Sequence, residues 1–170
     1  MQLQIMRAYE RPVTAEEFAR IPNDGYHYEL VEGRVVRVSP PGSRHAVLAA
    51  RITALLLQHC EANHLGAVMA VGGFQIATNP DTVREPDIAF VDQARIPPPG
   101  APDGYWPGPP DLAVEVKSPG DRSSEIHTKV SDYLARGVRL VWVVDPKAQT
   151  VATYGPESSP VLLGVDDVLD

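Results

Sequence analysis

The chain has 170 residues, of which 44% are hydrophobic and 22% charged, a composition typical of one folded domain rather than of a disordered chain. Its formal net charge is −7, which disfavours a protein that coats DNA non-specifically. The single cysteine, Cys60, excludes an internal disulfide, the N-terminal residues lack the pattern of a signal peptide, and no apolar run is long enough to cross a membrane. We therefore expect a cytoplasmic protein with no membrane partner.

Local patterns in the sequence predict an alternation of helices and strands. Apolar residues at helical spacing, with capping residues before them and proline or glycine after them, predict helices at residues 14–21, 43–63 and 123–136. Alternating and β-branched runs predict strands at residues 26–31, 34–38, 67–78, 84–91, 110–118, 138–144, 151–154 and 161–163. The central elements therefore have the order helix, three strands, helix, strand.

These elements are expected to form a single domain. Residues 96–110 contain seven prolines and three glycines, but the strands on either side are expected to share one sheet. We therefore interpret this segment as a stiff ordered loop rather than as a linker between domains. Within residues 1–170 the predicted parts are an N-terminal helix and hairpin (1–42), a core (43–145) and terminal strands (146–170).

Two acidic motifs lie on either side of the proline-rich loop. Glu85-Pro86-Asp87 starts one predicted strand, and Glu115-Val116-Lys117 ends the next. Side-chain alternation places Glu115 and Lys117 on one face, and pairing of the two strands would bring Asp87 opposite Glu115. Two carboxylates about 4 Å apart repel by about 4 kcal/mol at an effective dielectric constant of 20, a cost that a Mg²⁺ ion removes. A nearby lysine could orient or activate a water for attack on phosphorus. Taken singly, the first motif is better explained as a turn, and the second as a half-exposed strand that carries a Glu–Lys pair.

The order of elements and the two motifs together resemble the PD-(D/E)XK nuclease superfamily. A closer resemblance is to the bacterial Uma-two (Uma2) family, which is described as restriction endonucleases. Five ordered blocks carry it: residues 28–36, Ser39-Pro40-Pro41 followed by His45, Glu85-Pro86-Asp87, residues 110–119, and the downstream set Lys129, Tyr133, Gly137-Val138 and 142–146.

The resemblance implies an α/β restriction-endonuclease-like fold, with a mixed central sheet flanked by helices on both sides and the catalytic core in residues 43–145. It implies a metal-dependent endonuclease that hydrolyses DNA phosphodiester bonds. Asp87 and Glu115 would bind Mg²⁺, with Mn²⁺ as a substitute ion, Lys117 beside the metal and Glu29 as a third acidic residue. Many family members have an apolar residue in place of this lysine, so the presence of Lys117 favours an intact site. A homodimer is expected if both strands of a duplex are cut.

Other interpretations remain open from the sequence. The same fold could form a catalytically inactive nucleic-acid-binding or regulatory module, or a metal-dependent enzyme that acts on another phosphate ester. His45, in the first turn of the long helix, is a further candidate catalytic residue or a structural one. Lys129 could contact phosphate or lie on the solvated surface. Tyr105 and Trp106 could stack on an unpaired base, although anchoring of the proline-rich loop on the sheet is favoured.

Overall fold

The computed structural model describes residues 11–98 and 100–169. Its helices are α1 (Ala15–Ala19), α2 (Ser43–Ala62) and α3 (Ser123–Ala135). Its strands are β1 (His27–Val31), β2 (Arg34–Val38), β3 (Gly66–Ala70), β4 (Phe74–Ala77), β5 (Thr82–Arg84), β6 (Ile88–Asp92), β7 (Trp106–Pro107), β8 (Leu112–Val116), β9 (Leu140–Asp145), β10 (Thr150–Tyr154) and β11 (Val161–Leu163). Among these described residues, no helix is long and apolar enough to span a bilayer.

The strands form two sheets. The larger has the order β11-β10-β9-β8-β6-β3 and is mixed, because β8 and β9 are parallel while the other neighbours are antiparallel. The smaller has the order β2-β1-β5-β4-β7 and contains the predicted N-terminal hairpin. Along the larger sheet the chain runs α2, β3, β6, β8, α3 and β9, which confirms the predicted order of helix, three strands, helix, strand.

Two of the predicted strands are in fact divided between the sheets. The predicted strand at 67–78 consists of β3 in the larger sheet and β4 in the smaller one, with Gly72 and Gly73 at the crossing. Gly73 is required there because a Cβ atom would lie 2.5 Å from Cδ1 of Tyr105. The predicted strand at 84–91 is likewise divided into β5 and β6. The acidic motif Glu85-Pro86-Asp87 therefore forms the crossing between the two sheets.

Helices α2 and α3 cover opposite faces of the larger sheet. On one face of β8, alternate residues pack in a hydrophobic cluster with the partly buried side of α2; they are Leu112, Val114 and Val116. Ala113, which lies between them, packs in a second cluster with Ile126 and Val130 of α3. Burial of each such aliphatic side chain contributes about 1.5–3 kcal/mol, which holds α3 over the sheet. Strand β8 is thus buried on both faces, so the half-exposed strand considered from the sequence is wrong.

Aromatic contacts fix the end of the proline-rich loop. Tyr105 stacks on Phe18 of α1, with ring centroids 5.8 Å apart. Trp106 is buried against Phe74, and β7 pairs in parallel with β4. This confirms the favoured interpretation, in which the loop is anchored on the protein. It also joins the loop to α1, next to the crossing between the sheets.

Candidate active site

The two acidic motifs meet because β6 and β8 are antiparallel neighbours. Ile88 lies opposite Val114, so the chain just before β6 lies beside the end of β8. Asp87 Oδ2 accepts a hydrogen bond from the backbone N–H of Val116 at 2.7 Å. The pairing predicted for the strands that carry Asp87 and Glu115 is therefore confirmed, and both carboxylates lie at the same end of the sheet.

Glu115 lies under α3, which supplies both of its side-chain partners. Lys129 Nζ lies 3.1 and 3.2 Å from the two carboxylate oxygens, and the Tyr133 hydroxyl donates to Oε1 at 2.8 Å. Lys129 and Tyr133 are four residues apart, so they share one face of the helix. Glu115 is 5% exposed, and this burial raises its pKa. The Lys129 charge opposes the shift, whereas the negative charge of Asp87 adds to it.

Glu29 enters the same cluster from β1 of the smaller sheet. Its Oε1 lies 3.1 Å from Lys129 Nζ, and its Oε2 accepts a hydrogen bond from Arg84 Nη1 at 2.7 Å. Burial alone would raise the pKa of Glu29, but the charges of Lys129 and Arg84 outweigh it and lower the pKa. Arg84 also forms an ion pair with Asp132 of α3. These buried pairs join the smaller sheet to α3 and to β8.

His45 supports Asp87 from the first turn of α2. Its Nε2 lies 3.1 Å from Asp87 Oδ1, and its Nδ1 lies 3.2 Å from the Ser118 hydroxyl oxygen. These contacts fit the tautomer in which Nε2–H donates to Asp87 while Nδ1 accepts from Ser118. Burial raises the pKa of Asp87, while the Val116 N–H and His45 oppose the rise. Both Asp87 oxygens thus have a protein donor that fixes their orientation.

Lys117 lies at the same strand end, but its amine has a different partner. Lys117 Nζ is 2.6 Å from Asp145 Oδ2, at the end of the parallel neighbour β9. This hydrogen bond lowers the pKa of Asp145. The structure therefore brings Glu29, His45, Asp87 and Glu115 together, whereas the amine in direct contact with Glu115 belongs to Lys129.

The sequence left Lys129 between phosphate contact and the solvated surface, and it did not identify Tyr133, Arg84 or Asp132 as parts of this cluster. The side chain of Lys129 is only 20% exposed and forms two ion pairs, so the solvated-surface interpretation is wrong. Burial alone would lower its pKa, but the carboxylates beside it raise the pKa instead. One signal was available: the chain has only three lysines, and Lys129 lies four residues before a tyrosine on the same helix face.

The cluster has more carboxylates than cations. Its acidic side chains are Glu29, Glu85, Asp87, Glu115 and Asp132, and its cations are Arg84 and Lys129, an excess of three negative charges when all are ionised. Burial, followed by the charge of Glu29, raises the pKa of Glu85. An oxygen-rich, negatively charged cluster of this kind fits the ligand chemistry of Mg²⁺.

The number of protein ligands is small. Within residues 11–98 and 100–169, no group of three or more His, Cys, Asp and Glu side chains is arranged to hold a metal ion. An ion held by Asp87 and Glu115 would have only these two protein ligands, with water in the remaining positions. Mg²⁺ usually binds through one or two carboxylates and keeps several waters, so the two residues fit this ion.

A mixed sheet between two helices, with an acidic cluster where the chain crosses between sheets, defines the architecture of this α/β protein. The sequence matches the family model Uma2, described as "Putative restriction endonuclease", over residues 15–168. The chain belongs to this family, as the resemblance predicted.

A solved structure shows the same fold. A protein from Anabaena variabilis, described as a "putative nuclease belonging to DUF820", has a TM-score of 0.78 and 21% sequence identity to this chain. The match covers 94% of this chain and 88% of that one. It confirms the predicted restriction-endonuclease-like fold. No curated protein matches the sequence at a significant level.

Proposed function

We propose that this protein is a Mg²⁺-dependent endonuclease that hydrolyses DNA phosphodiester bonds. One observation carries the proposal: Asp87 accepts a hydrogen bond from the backbone N–H of the residue after Glu115 and its charge acts on Glu115, inside a cluster with three more carboxylates than cations. Such an excess favours the binding of a divalent cation, and family membership favours nucleic acid as the substrate. A cytoplasmic location and Mn²⁺ as an alternative ion are parts of the same proposal.

In this proposal each residue has a defined task. Asp87 and Glu115 bind the metal, which when present supplies positive charge at the phosphate and lowers the pKa of water. His45 and the Val116 N–H fix the two oxygens of Asp87. Glu29 acts as the third acidic residue and holds Lys129 beside Glu115.

Two lysines are candidates for the amine that serves the reacting phosphate. The assignment of Lys117 stays a prediction, and in the structure its amine is paired with Asp145. Lys129 is in direct contact with Glu115, which favours it for stabilising charge that develops on phosphorus. Single-turnover cleavage by Lys117→Met and Lys129→Met, measured where urea unfolding shows each variant to be folded, separates the two assignments. Only the lysine that acts on the reacting group should then slow cleavage by about two to four orders of magnitude.

The second candidate function is an inactive nucleic-acid-binding or regulatory module. It is favoured by the contacts of Lys129, which lies within 3.2 Å of both Glu115 oxygens and so provides one positive charge without any metal. A homodimer is proposed for the active enzyme, because one site hydrolyses one bond and a double-strand cut requires two.

The decisive test compares cleavage and metal binding in matched variants. We expect plasmid DNA and linear DNA to be cleaved with Mg²⁺ or Mn²⁺ and not with EDTA. Asp87→Asn and Glu115→Gln should both remove cleavage and the Mn²⁺ binding seen by isothermal titration. Their controls are Asp103→Asn and Glu61→Gln, which change exposed carboxylates outside the cluster and should behave as the parent does.

Each possible result has a clear meaning. Metal-independent cleavage, or unchanged Mn²⁺ binding in both site variants, would refute the proposed metal site. DNA binding without cleavage under any metal would favour the regulatory module. Hydrolysis of a small phosphodiester but not of DNA would favour an enzyme that acts on another phosphate ester.

A further inference from the structure

A cavity of about 370 Å³ adjoins the acidic cluster, and of the two acidic motifs only Glu85 lines it. It lies between the α1–β1 segment, the chain crossing at residues 85–87 and the end of the proline-rich loop. We call it the aromatic cavity; its walls include four aromatic side chains and two ionisable ones, namely Phe18, Tyr26, Tyr28, Tyr105, His27 and Glu85. Its volume is within the range of roughly 300–1,000 Å³ that is typical of small-molecule sites.

The aromatic walls are held in place by the fold. Tyr105 stacks on Phe18, and Gly73 leaves the space that its ring occupies. The Tyr28 hydroxyl donates to Asp24 Oδ2 at 2.8 Å. Tyr26 is 42% exposed, and the Arg37 guanidinium lies over one face of its ring, 3.4 Å from the centroid, so a base would stack on the opposite face. Rigid aromatic rings in a solvent-accessible cavity are suited to stacking on a flat, unsaturated ring.

Glu85 supplies a polar group to the cavity together with Asn23 and His27, and the His27 charge acts on the Glu85 carboxylate. The Glu85 backbone N–H donates to Glu29 Oε1 at 3.3 Å, whereas its carboxylate makes no hydrogen bond and no ion pair with any residue that the structure describes. An unpaired carboxylate within aromatic walls is suited to accept hydrogen bonds from an amino group on a planar ring.

The cavity is also close to the proposed point of cleavage. Glu85 is two residues before Asp87, a span of about 7 Å in extended chain. The chain between them is the crossing between the sheets, where Pro86 is fully buried while Glu85 and Asp87 are both partly exposed. A strand whose phosphate lies at Asp87 can therefore place one of its own bases near Glu85.

We propose that the aromatic cavity binds one unpaired nucleobase of the DNA strand whose phosphodiester lies at Asp87 and Glu115, and that Glu85 selects bases with an exocyclic amino group. This inference rests on the proposed nuclease function. Adenine, cytosine and guanine carry such a group. Thymine presents two carbonyl oxygens beside its single N–H, and these oxygens repel a carboxylate. The substrate at this site is then a single strand, or a duplex from which one base is extruded.

The test uses homopolymers, so that the unknown register of the strand does not matter. Fluorescence anisotropy without divalent metal measures binding of oligo-dC, oligo-dA, oligo-dT and an abasic oligomer of equal length. We expect the parent to bind oligo-dC and oligo-dA about a hundredfold more tightly than the abasic oligomer, about tenfold from stacking on an aromatic side chain and about tenfold from the hydrogen bond to Glu85. Oligo-dT should bind about tenfold more weakly than oligo-dC, the effect expected when a hydrogen bond to a charged group is lost.

Four variants assign these preferences to the cavity. Tyr26→Ala should lose most of the preference over the abasic oligomer, while Tyr26→Phe keeps the ring and should retain it. Glu85→Leu should bind oligo-dT as tightly as oligo-dC, and Glu61→Leu, which changes an exposed glutamate on α2, should not. Thermal unfolding checks that all four fold as the parent does.

Cleavage of mixed-sequence DNA, measured on the same proteins, separates this inference from the proposed function. Metal-dependent cleavage without any base preference would overturn the cavity inference and leave the nuclease in place. A base preference that Tyr26→Ala removes, in a protein that cleaves nothing, would support the cavity and overturn the nuclease. Absence of both cleavage and base preference would overturn both.

Discussion

Replacing Lys129 with methionine should destabilise the protein strongly, because this lysine neutralises two buried carboxylates. Its Nζ lies 3.1 Å from both Glu29 and Glu115, which are 2% and 5% exposed. At an effective dielectric constant of 20, unit charges at that distance attract by about 5 kcal/mol per pair. Desolvation of the ammonium offsets several kcal/mol of this attraction. We therefore expect a net loss of about 3–5 kcal/mol, the usual cost of breaking a buried ion pair.

The loss should depend on pH in a defined direction. In the fold, burial already holds the pKa of Glu115 above its ordinary value of 4.5, so the folded state binds protons more readily than the unfolded state does. Stability then falls as pH rises from 4.5 through the raised pKa. Without Lys129 the pKa of Glu115 rises further. The pKa of Glu29 also rises, because Lys129 is the first of the two positive charges that lower it. The penalty should therefore be largest at neutral pH and shrink as pH falls toward 4.5.

Urea unfolding followed by tryptophan fluorescence measures this loss. Lys147→Met is the matched control, because Lys147 is exposed and the same substitution there should change stability by less than about 0.5 kcal/mol. Mg²⁺ should recover part of the stability of Lys129→Met, because a divalent cation can replace the lost positive charge. Above the Kd for Mg²⁺, the free energy of unfolding should rise by about 1.4 kcal/mol for each tenfold rise in Mg²⁺ concentration. A loss below about 1 kcal/mol relative to the control would show that the two carboxylates are not both ionised in the fold.

Three further outcomes follow from the contacts of the site and of α1. Lys117→Met should remain folded. If the Lys117 amine serves the reacting phosphate, this variant should slow single-turnover cleavage by about two to four orders of magnitude; cleavage at the parent rate would show that Lys117 is only an ion-pair partner. His45→Ala should weaken Mn²⁺ binding, measured by isothermal titration, by about 10–100-fold through loss of its contact with Asp87; unchanged affinity would contradict that role. Hydrogen bonding from Arg11 lowers the pKa of Glu17 to about 2, so the stabilisation it provides is lost as pH falls from 4.5 toward 2. The melting temperature of Glu17→Gln should accordingly lie below that of the parent at pH 7 and converge with it over that interval, and a constant difference would contradict the assignment.

Elements defined by local patterns were predictable from the sequence. Apolar spacing placed the long helix within a residue of its observed bounds, Ser43–Ala62. The capping box between Thr14 and Glu17 is present at the start of α1. Both signals depend on residues a few positions apart, which interact in the same way whatever the rest of the chain does.

The division of strands between two sheets was not predictable in the same way. Alternation describes which face a side chain occupies, but it carries no information about which sheet a strand joins. Residues 82–92 are nearly continuous extended chain, yet β5 pairs with β1 and β4 while β6 pairs with β3 and β8. The crossing at Glu85-Pro86-Asp87 depends on these distant partners, so it became visible only in the structure.

The missing members of the site have a related cause. A lysine at the edge of an apolar helical stripe usually lies in solvent, and only the position of Glu115 beneath α3 makes Lys129 a buried partner. The resemblance supplied Glu29 and His45 because it aligned blocks far apart in the chain. Neither spacing nor composition would have joined them to Asp87.

The excess negative charge of the acidic cluster indicates whether the cluster serves stability or function. Removing charged groups from water costs several kcal/mol each, and buried ion pairs are often no more stable than apolar residues of the same volume. If this junction between the sheets and α3 had only to be stable, aliphatic side chains could fill it. Such side chains occupy the neighbouring positions of β8. Here the two cations, Arg84 and Lys129, pair with three of the carboxylates, namely Glu29, Glu115 and Asp132. The other two carboxylates have no such cation. Among the described residues, Asp87 contacts only His45 and a backbone N–H, and Glu85 has no side-chain partner. The unmatched carboxylates are the two that border the aromatic cavity and the proposed metal site. The imbalance is therefore located where a substrate and a cation would enter, which is the distribution expected of a functional site rather than of a structural ion-pair network.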